Sequence, residues 1–461
     1  MRYDAIVIGS GQGGNPLAYG LADLGWSVAL VEEGPLGGTC INTGCTPTKT
    51  MVASAQVAHY ARAAARWGVR TGDVTVDLSA VVARKKKMVE SFRNGHEKRV
   101  RDRKSMRLYR THGRFTGPHQ VNADGEMLES GHIFIDTGTR PGPPPLQGLD
   151  SVPYLTNASI MELSAVPDHL LVIGGGYVGL EFGQMFRRFG SAVTVVHRGP
   201  VLLAREDEDV ARELQKTLES EGIRFLLNSS AVRVAAHGNA PGIALAVETK
   251  EDDGTRTETL TGTHLLVATG RRPNTDDLGL DRAGIETDEH GYVKVNDRLE
   301  TTVPGVWAIG DVKGGPAFTH ISYNDYQIIY GNVIEKKNLS IKDRIVPYSV
   351  FTDPQLGRIG ITEKQARDSG RKLKVGKIAM TQVARALERD ETAGLMKLVV
   401  DAATDKVIGA AILSSEGGEV VQILSTLTLA DQPYTLLKGA IYIHPTLAEG
   451  FFALMDSVKP A

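Results

Sequence analysis

The sequence predicts an α/β fold built from two parallel-sheet domains and one further domain. Three observations carry this expectation. An apolar strand pattern, Ala5-Ile6-Val7-Ile8-Gly9, runs into a cluster of glycines and then into helix-forming residues. The same strand–glycine–helix order returns at Leu170-Leu171-Val172-Ile173-Gly174. The 461 residues leave room for roughly three domains of about 150 residues each.

The first pattern continues as Gly9-Ser10-Gly11-Gln12-Gly13-Gly14, with a helix expected from near Gly14. Glycines at these positions let the backbone approach a pyrophosphate, and the helix start supplies amide donors and a positive dipole end. A second strand, Ser27-Val28-Ala29-Leu30-Val31, ends in Glu32. An acid about 20 residues beyond the glycines can take the ribose hydroxyl pair of a dinucleotide. The plainer reading of Glu32 is a solvated strand end, but both parts in register favour a dinucleotide site.

The second pattern reads Gly174-Gly175-Gly176-Tyr177-Val178-Gly179-Leu180-Glu181. Its second strand, Ala192-Val193-Thr194-Val195-Val196, ends in His197-Arg198 instead of an acid. A carboxylate there repels a 2′-phosphate, whereas a guanidinium pairs with it. NADPH is therefore expected over NADH, with NADH still possible if Arg198 is a plain surface charge. The weak internal repeat implies two Rossmann-like domains, each holding a dinucleotide.

Composition narrows the function classes. Hydrophobic residues make up 41% and charged residues 23%, ordinary for a globular protein in water. A net charge of -2 points away from nucleic acid, and Arg84-Lys85-Lys86-Lys87 reads as a solvated helix face. No apolar stretch approaches the ~20 residues of a membrane span, so no membrane partner is expected. The N-terminus runs directly into a strand without a signal peptide, which makes a cytoplasmic location the default.

The chain has two cysteines, Cys40 and Cys45, within Gly37-Gly38-Thr39-Cys40-Ile41-Asn42-Thr43-Gly44-Cys45-Thr46-Pro47-Thr48-Lys49. Cysteines this close can reach disulfide geometry within one turn. Closing so small a loop adds little stability. Two inert buried thiols are the bland alternative. The position just after a dinucleotide pattern, in a compartment where structural disulfides are rare, points to redox work instead.

Further motifs follow in order: Thr137-Gly138-Thr139-Arg140-Pro141, Ala268-Thr269-Gly270-Arg271-Arg272-Pro273-Asn274, Ala308-Ile309-Gly310-Asp311 and His444-Pro445-Thr446-Leu447-Ala448-Glu449. With the two glycine turns and the cysteine segment, the chain resembles over its whole length the FAD-dependent pyridine nucleotide–disulfide oxidoreductases. That is the family of glutathione reductase, dihydrolipoamide dehydrogenase and mercuric reductase. The resemblance implies an FAD domain in two pieces, residues 1–148 and 273–343, an NAD(P) domain at 149–272 and a C-terminal α+β interface (dimerisation) domain at 344–461. The run Arg140-Pro141-Gly142-Pro143-Pro144-Pro145 suits a crossover linker, since it cannot continue a helix or a central strand. Strand-like runs are expected at Met396 to Asp401 and Val407 to Leu413, with helices after them.

The same resemblance implies roles. FAD would be held by Gly9, Gly11, Gly14, Glu32, Gly38, Thr39, Lys49, Gly113, Thr137, Gly138, Gly310 and Asp311. Among these, Gly113 would approach the adenine and Asp311 the ribityl chain. The NAD(P) site would use Gly174, Gly176, Tyr177, Gly179, Glu181, His197, Arg198 and Gly270, with Tyr177 as a gating ring over the nicotinamide. NADPH would reduce FAD, and FAD would reduce a Cys40–Cys45 disulfide. Cys45 would face the flavin and Cys40 would meet a small-molecule substrate. Lys49 and Glu181 would pair near the flavin N5 edge. A free thiol near its ordinary pKa of ~8.5 is mostly protonated at neutral pH, so Cys40 wants a base. By resemblance that base is His444 from the other subunit of a homodimer, oriented by Glu449, with the active site across the interface. Thr446 through Glu449 also reads as a capping box, which would explain Thr446 and Glu449 without catalysis.

The sequence departs from the family in two places. Ala317-Phe318-Thr319-His320-Ile321-Ser322-Tyr323-Asn324-Asp325-Tyr326-Gln327 resembles the mercuric-reductase-like branch. Yet there is no C-terminal cysteine pair and no N-terminal metal-binding CxxC, hence no thiol relay for Hg(II) and no metal site. His197, where dihydrolipoamide dehydrogenase has an acid, argues against that enzyme. Three readings remain: a reductase of small disulfides or oxidised sulfur species, a metal-ion or quinone reductase of the same fold, and a flavoprotein redox sensor.

Overall fold

The computed structural model describes residues 1–238 and 242–461. They form two compact units. One comprises Met1–Met51, Ser79–Pro143 and Gly270–Arg344; the other comprises Val52–Leu78, Pro144–Thr269 and Ile345–Ala461.

The first unit is organised by a five-stranded parallel sheet in the order Val306–Ala308, Ile133–Ile135, Ala5–Ile8, Val28–Val31, Met106–Tyr109. Its strands are nearly continuous apolar runs because both faces are covered. Ile6, Ile8, Ala29, Val31, Ile133 and Ile135 point to one face, where Phe115, Val121 and Leu128 pack on them. Ala5, Val7, Val28, Leu30 and Phe134 point to the other, against Leu17, Leu21, Ile328 and Ile329. Phe115, Val121 and Leu128 come from a small antiparallel sheet of Gly113–Gly117, Gln120–Ala123 and Glu126–Glu129. The proline-rich run begins as half of a ribbon, in which Thr139–Pro141 pairs antiparallel with Arg271–Pro273. Proline fits there because a two-stranded ribbon has outer edges that need no amide donor.

The second unit contains a four-stranded parallel sheet ordered Ile223–Leu226, Ala192–Val196, His169–Ile173, His264–Val267. An antiparallel sheet of Ser229–Ala236, Ile243–Glu251 and Gly254–Gly262 accompanies it. The C-terminal stretch forms a six-stranded sheet whose centre pairs Val407–Ser414 with Leu395–Asp401. Helices Gly417–Leu429 and Gly450–Asp456 bring Val421, Leu424, Phe451 and Leu454 into its core. Among the described residues, no helix is long and apolar enough to cross a membrane.

Candidate active site

The first glycine turn follows strand Ala5–Ile8 and opens helix Gly14–Asp23. A Cβ on Gly9, which has φ +101°, would lie 2.2 Å from the Asp136 carbonyl oxygen. One on Gly11 would lie 2.6 Å from Asp136 Oδ2. The turn therefore admits no side chain at either position, because Asp136 occupies the space beside it. Glu32 is fixed rather than solvated. Its Oε2 accepts the Ser10 N–H at 2.8 Å and the Ser10 hydroxyl at 2.7 Å, and its Oε1 accepts the Gly34 N–H at 2.8 Å. Oε1 keeps a lone pair that a ribose hydroxyl can use.

Gly38 (φ +59°) packs its Cα side 2.8 Å from Gly11 Cα, measured to an added Cβ, so the cysteine segment lies directly on the turn. Thr39 lies inside helix Gly38–Asn42, and its carbonyl accepts the Thr43 N–H at 2.9 Å. Thr137 and Asn274 exchange hydrogen bonds of 2.9 and 2.7 Å. The space beside Gly138 is open. Gly113 packs against Val31 and Ile8 at the ends of the central strands.

Gly310 has φ +69°, and an added Cβ would lie 2.8 Å from Ser322 Oγ and 2.9 Å from Asp136 Oδ1. Its N–H donates to Asp325 Oδ2 at 2.9 Å. Asp325 is fully buried and pairs with Lys313 at 3.2 Å and Arg344 at 2.7 Å. Asp311 accepts the Thr139 hydroxyl at 2.9 Å, and Thr139 in turn accepts from Arg271 Nε at 2.7 Å. Thr319, Ser322 and Asp325 recur every three residues on helix Thr319–Val333, so one helix face serves the cysteines and the Gly310 turn together.

Asp136, Asp325, Thr139 and Arg271 were not singled out as site residues by sequence reasoning. For Asp136 a signal exists: an acid placed directly after the apolar strand Ile133-Phe134-Ile135, at the carboxyl end of a parallel strand. It is 7% exposed, and its Oδ2 accepts the Gly14 N–H at 2.7 Å. Burial holds its carboxyl well above the usual carboxylate range, against the Gly14 hydrogen bond and with the charges of Asp311, Glu32 and Asp325.

Cys40 sits in helix Gly38–Asn42, and Cys45 opens helix Cys45–Ala63. Asn42 clamps the segment, donating to Gly38 O at 2.9 Å and accepting from Arg93 Nη2 at 2.8 Å. Both cysteines are free thiols; Cys40 is half-buried and Cys45 exposed. Cys45 Sγ lies 3.2 Å from Thr319 Oγ1. The hydrogen bond between the two thiols, then burial, pushes the Cys40 thiol up, with Thr319 opposing. Cys45 is the first residue of its helix. Lys49 follows four residues later, one turn down the same helix face.

In the second unit the Gly174 turn repeats the logic of the first. Cβ atoms on Gly174 and Gly179 would lie 2.4 Å from Ala268 O and 2.0 Å from Gly174 O. The space beside Gly176 is open; Gly270, which belongs to the first unit, takes φ +146° with open space as well. Tyr177 begins helix Tyr177–Phe189 and is exposed. His197 Nδ1 accepts the Gly175 N–H at 3.2 Å. Burial and the neighbouring Arg198 charge lower its pKa, so the ring braces the glycine turn as a neutral acceptor. Arg198 is exposed beside it. Glu181 is buried, and its Oε1 accepts the Phe351 N–H at 2.8 Å. One and two turns along the helix, Gln184 accepts the Asp353 N–H and Arg188 pairs with Glu221 at 2.6 Å and Asp353 at 2.9 Å.

His444 Nδ1 lies 2.9 Å from Glu449 Oε2 and 3.0 Å from Oε1. The capping-box expectation holds by half. Thr446 Oγ1 does accept the Glu449 N–H at 3.3 Å, but helix Gly450–Asp456 starts later and the Glu449 carboxylate turns to the histidine. A carboxylate on Nδ1 fixes the tautomer that leaves Nε2 as a proton acceptor. The ring is 66% exposed, and Ile441 and Ile443 just before it are 99% and 78% exposed. Among the described residues, no group of three or more His, Cys, Asp or Glu could hold a metal ion.

A family model for pyridine nucleotide-disulphide oxidoreductases matches residues 3–325, and that family's dimerisation-domain model matches residues 346–454. The chain is 35% identical to the probable pyridine nucleotide-disulfide oxidoreductase RclA of Escherichia coli, covering 99% of this chain and 100% of that one. It is 34% identical to a mercuric reductase of Lysinibacillus sphaericus, over 97% of this chain and 81% of that one. It is 35% identical to a dihydrolipoyl dehydrogenase of Thermus scotoductus, over 99% and 97%. A solved structure of the HOCl-induced flavoprotein disulfide reductase RclA from Escherichia coli matches with a TM-score of 0.88 at 35% identity, covering 99% of this chain and 100% of that one. A Cu(II) complex of that protein matches with a TM-score of 0.89 at 34% identity, covering 99% of each chain.

Proposed function

Because the chain belongs to the pyridine nucleotide-disulphide oxidoreductase family, we propose that it carries electrons from NADPH through Cys40 and Cys45 to a small disulfide or a similar oxidised sulfur species. It is a flavoprotein oxidoreductase that depends on FAD and takes its electrons from a pyridine nucleotide. When bound, FAD supplies the two-electron link between the nucleotide and the sulfur pair.

The chain's own residues divide the remaining work. Gly9, Gly11 and Gly14 keep side chains out of the diphosphate turn, with the Gly14 N–H held by Asp136; Glu32 offers a ribose acceptor, and Gly310 with Asp311 a close approach for the sugar chain. In the other half Gly174, Gly176 and Gly179 form the nucleotide turn, and Arg198 offers a guanidinium to a 2′-phosphate. We divide the chain accordingly into FAD pieces 1–148 and 273–343, an NAD(P) domain 149–272 and a dimerisation domain 344–461.

The observation that carries the sulfur chemistry is the placement of Cys40 and Cys45 on two successive helices beside Thr319, with the Cys45 hydrogen bond and burial pushing the Cys40 thiol up. That thiol needs a base, and His444 with Nε2 directed away from its Glu449 anchor is suited to be one. Cys40 loses its proton to His444 Nε2 and its thiolate attacks one substrate sulfur, breaking the substrate S–S bond. The expelled thiolate takes the proton back from the imidazolium. Cys45 then attacks Cys40 Sγ, closes the Cys40–Cys45 disulfide and releases the second thiol. The exposed Ile441 and Ile443, within the stretch matched by the dimerisation model, favour a homodimer in which His444 serves the cysteines of the second copy. A cytoplasmic setting completes this reading, since a reducing compartment keeps the thiol pair available for turnover.

A second reading, metal-ion reduction, has one observation in its favour. The exposed His320 stacks on Phe318 at 5.4 Å, next to the Thr319 that touches Cys45, and the RclA of Escherichia coli has a Cu(II) complex. Steady-state oxidation of NADPH and of NADH by pure protein separates the two. The acceptor panel is low-molecular-weight disulfides, lipoamide, hypothiocyanite, Cu(II), Hg(II) and quinones. The proposal expects turnover on a sulfur acceptor with NADPH, lost in His444→Ala. Turnover only on a metal ion or quinone, indifferent to His444→Ala, contradicts it.

A further inference from the structure

Asp136 places a carboxyl group under the very turn that has to hold an anion. Its Oδ2 accepts the N–H of Gly14, the first residue of helix Gly14–Asp23, at 2.7 Å. Its two oxygens lie 2.6 Å from an added Cβ on Gly11 and 2.9 Å from one on Gly310, so the carboxyl sits between the two turns that come from distant parts of the chain. The side chain is 7% exposed.

The charges around it are unfavourable to a carboxylate. Glu32 at the end of the second strand, Asp311 in the Gly310 turn and Asp325 on helix Thr319–Val333 all act on it as negative neighbours. The cations of this cluster, Lys313 and Arg344, are both paired with Asp325. A dinucleotide diphosphate adds further negative charge at the same helix start.

We infer that Asp136 is a positioning residue that holds FAD as a neutral carboxylic acid, so that the holoprotein carries a proton on this side chain. The inference rests on the reading of Gly9 to Gly14 as the FAD diphosphate turn. In the neutral form Oδ2 still accepts from Gly14, and the group gains an O–H donor in a site built for an anion. An ionised Asp136 would instead oppose the phosphate charge at close range in a water-poor pocket. Burial already drives the side chain toward its neutral form. Where pH exceeds the ionisation range of the free side chain, FAD binding has to draw that proton from solvent, so FAD affinity is level at lower pH and falls as pH rises through and beyond that range.

Two measurements on the purified protein test this. Infrared difference spectra between wild-type and Asp136→Asn holoprotein at neutral pH should show a protonated-carboxyl C=O band that belongs to the wild type and shifts in D2O. FAD titration of the stripped protein across pH should show wild-type affinity declining toward about tenfold per pH unit on the alkaline side, a decline that Asp136→Asn lacks. A missing band, with FAD affinity still altered by Asp136→Asn, overturns the proton and leaves the turn standing. A band present while the two affinity profiles coincide at every pH places FAD away from Asp136 and overturns the reading of the turn, and the inference with it.

Discussion

Glu449 holds His444 by its Nδ1 edge, with carboxylate oxygens 2.9 and 3.0 Å away, and so fixes which nitrogen is free to take a proton. The arrangement is local, five residues apart. It gives the pair a division of labour. His444→Ala removes the base and should lower turnover on a disulfide by roughly 10²–10⁴-fold. Glu449→Gln keeps a hydrogen-bond acceptor and should cost less, and Glu449→Ala should fall between the two. Stopped-flow reoxidation of the reduced enzyme by the acceptor checks this order.

The state of Cys40 makes the pH profile informative. Its thiol is raised by the Cys45 hydrogen bond and by burial, so the reactive thiolate is favoured at high pH and lost as pH falls. With His444 as the proposed base for Cys40, the dependence near neutral pH should be shallow. In His444→Ala the thiol must ionise unaided. The rate of disulfide reduction by that variant should climb steadily through the alkaline range, measured with the same acceptor at each pH. A flat profile would mean that Cys40 is not the ionising group.

The proposed preference for NADPH rests on Arg198, because His197 is engaged with the Gly175 amide and its pKa is lowered by burial. Arg198→Glu should raise KM for NADPH by roughly tenfold or more through loss of a charge-assisted contact and new repulsion. KM for NADH should change little, and steady-state kinetics with the two donors reads the difference directly.

How much of this was legible in the sequence depends on how far apart the partners lie. Both glycine turns could be read because the requirement is local: Gly9 and Gly174 lie at the end of apolar strands, where a side chain would strike the backbone of the next strand. The cysteine segment could be read for the same reason. Asp136 reaches across 122 residues to Gly14, and Thr139 across 172 to Asp311 and 132 to Arg271, so no window of sequence contains the contact. Asp325 could be quoted as part of an unusual helix but not explained, since its role appears only when Lys313, Arg344 and the Gly310 amide converge on it. At Glu449 two local patterns competed. Half of the capping box formed, through the Thr446 hydroxyl, while the helix begins at Gly450 and leaves the Glu449 carboxylate to turn back to His444.

Asp325 also supports a stability prediction. It is fully buried with two cations and a backbone amide on its carboxylate. Removing one partner from a buried ion cluster leaves uncompensated charge, typically about 3–5 kcal/mol of destabilisation. Asp325→Ala should unfold at a markedly lower denaturant midpoint and lose FAD on purification. Lys342→Ala, on an exposed side chain, serves as the neutral control.

The central claim is that electrons leave the protein through Cys40. The most direct measurement is steady-state NADPH oxidation by FAD-loaded Cys40→Ser protein with the best sulfur acceptor of the wild type. The account predicts that turnover vanishes while the bound flavin is retained and is still reduced by NADPH. Turnover at a wild-type rate in Cys40→Ser would contradict it, because the chain has no third cysteine to take over the exchange.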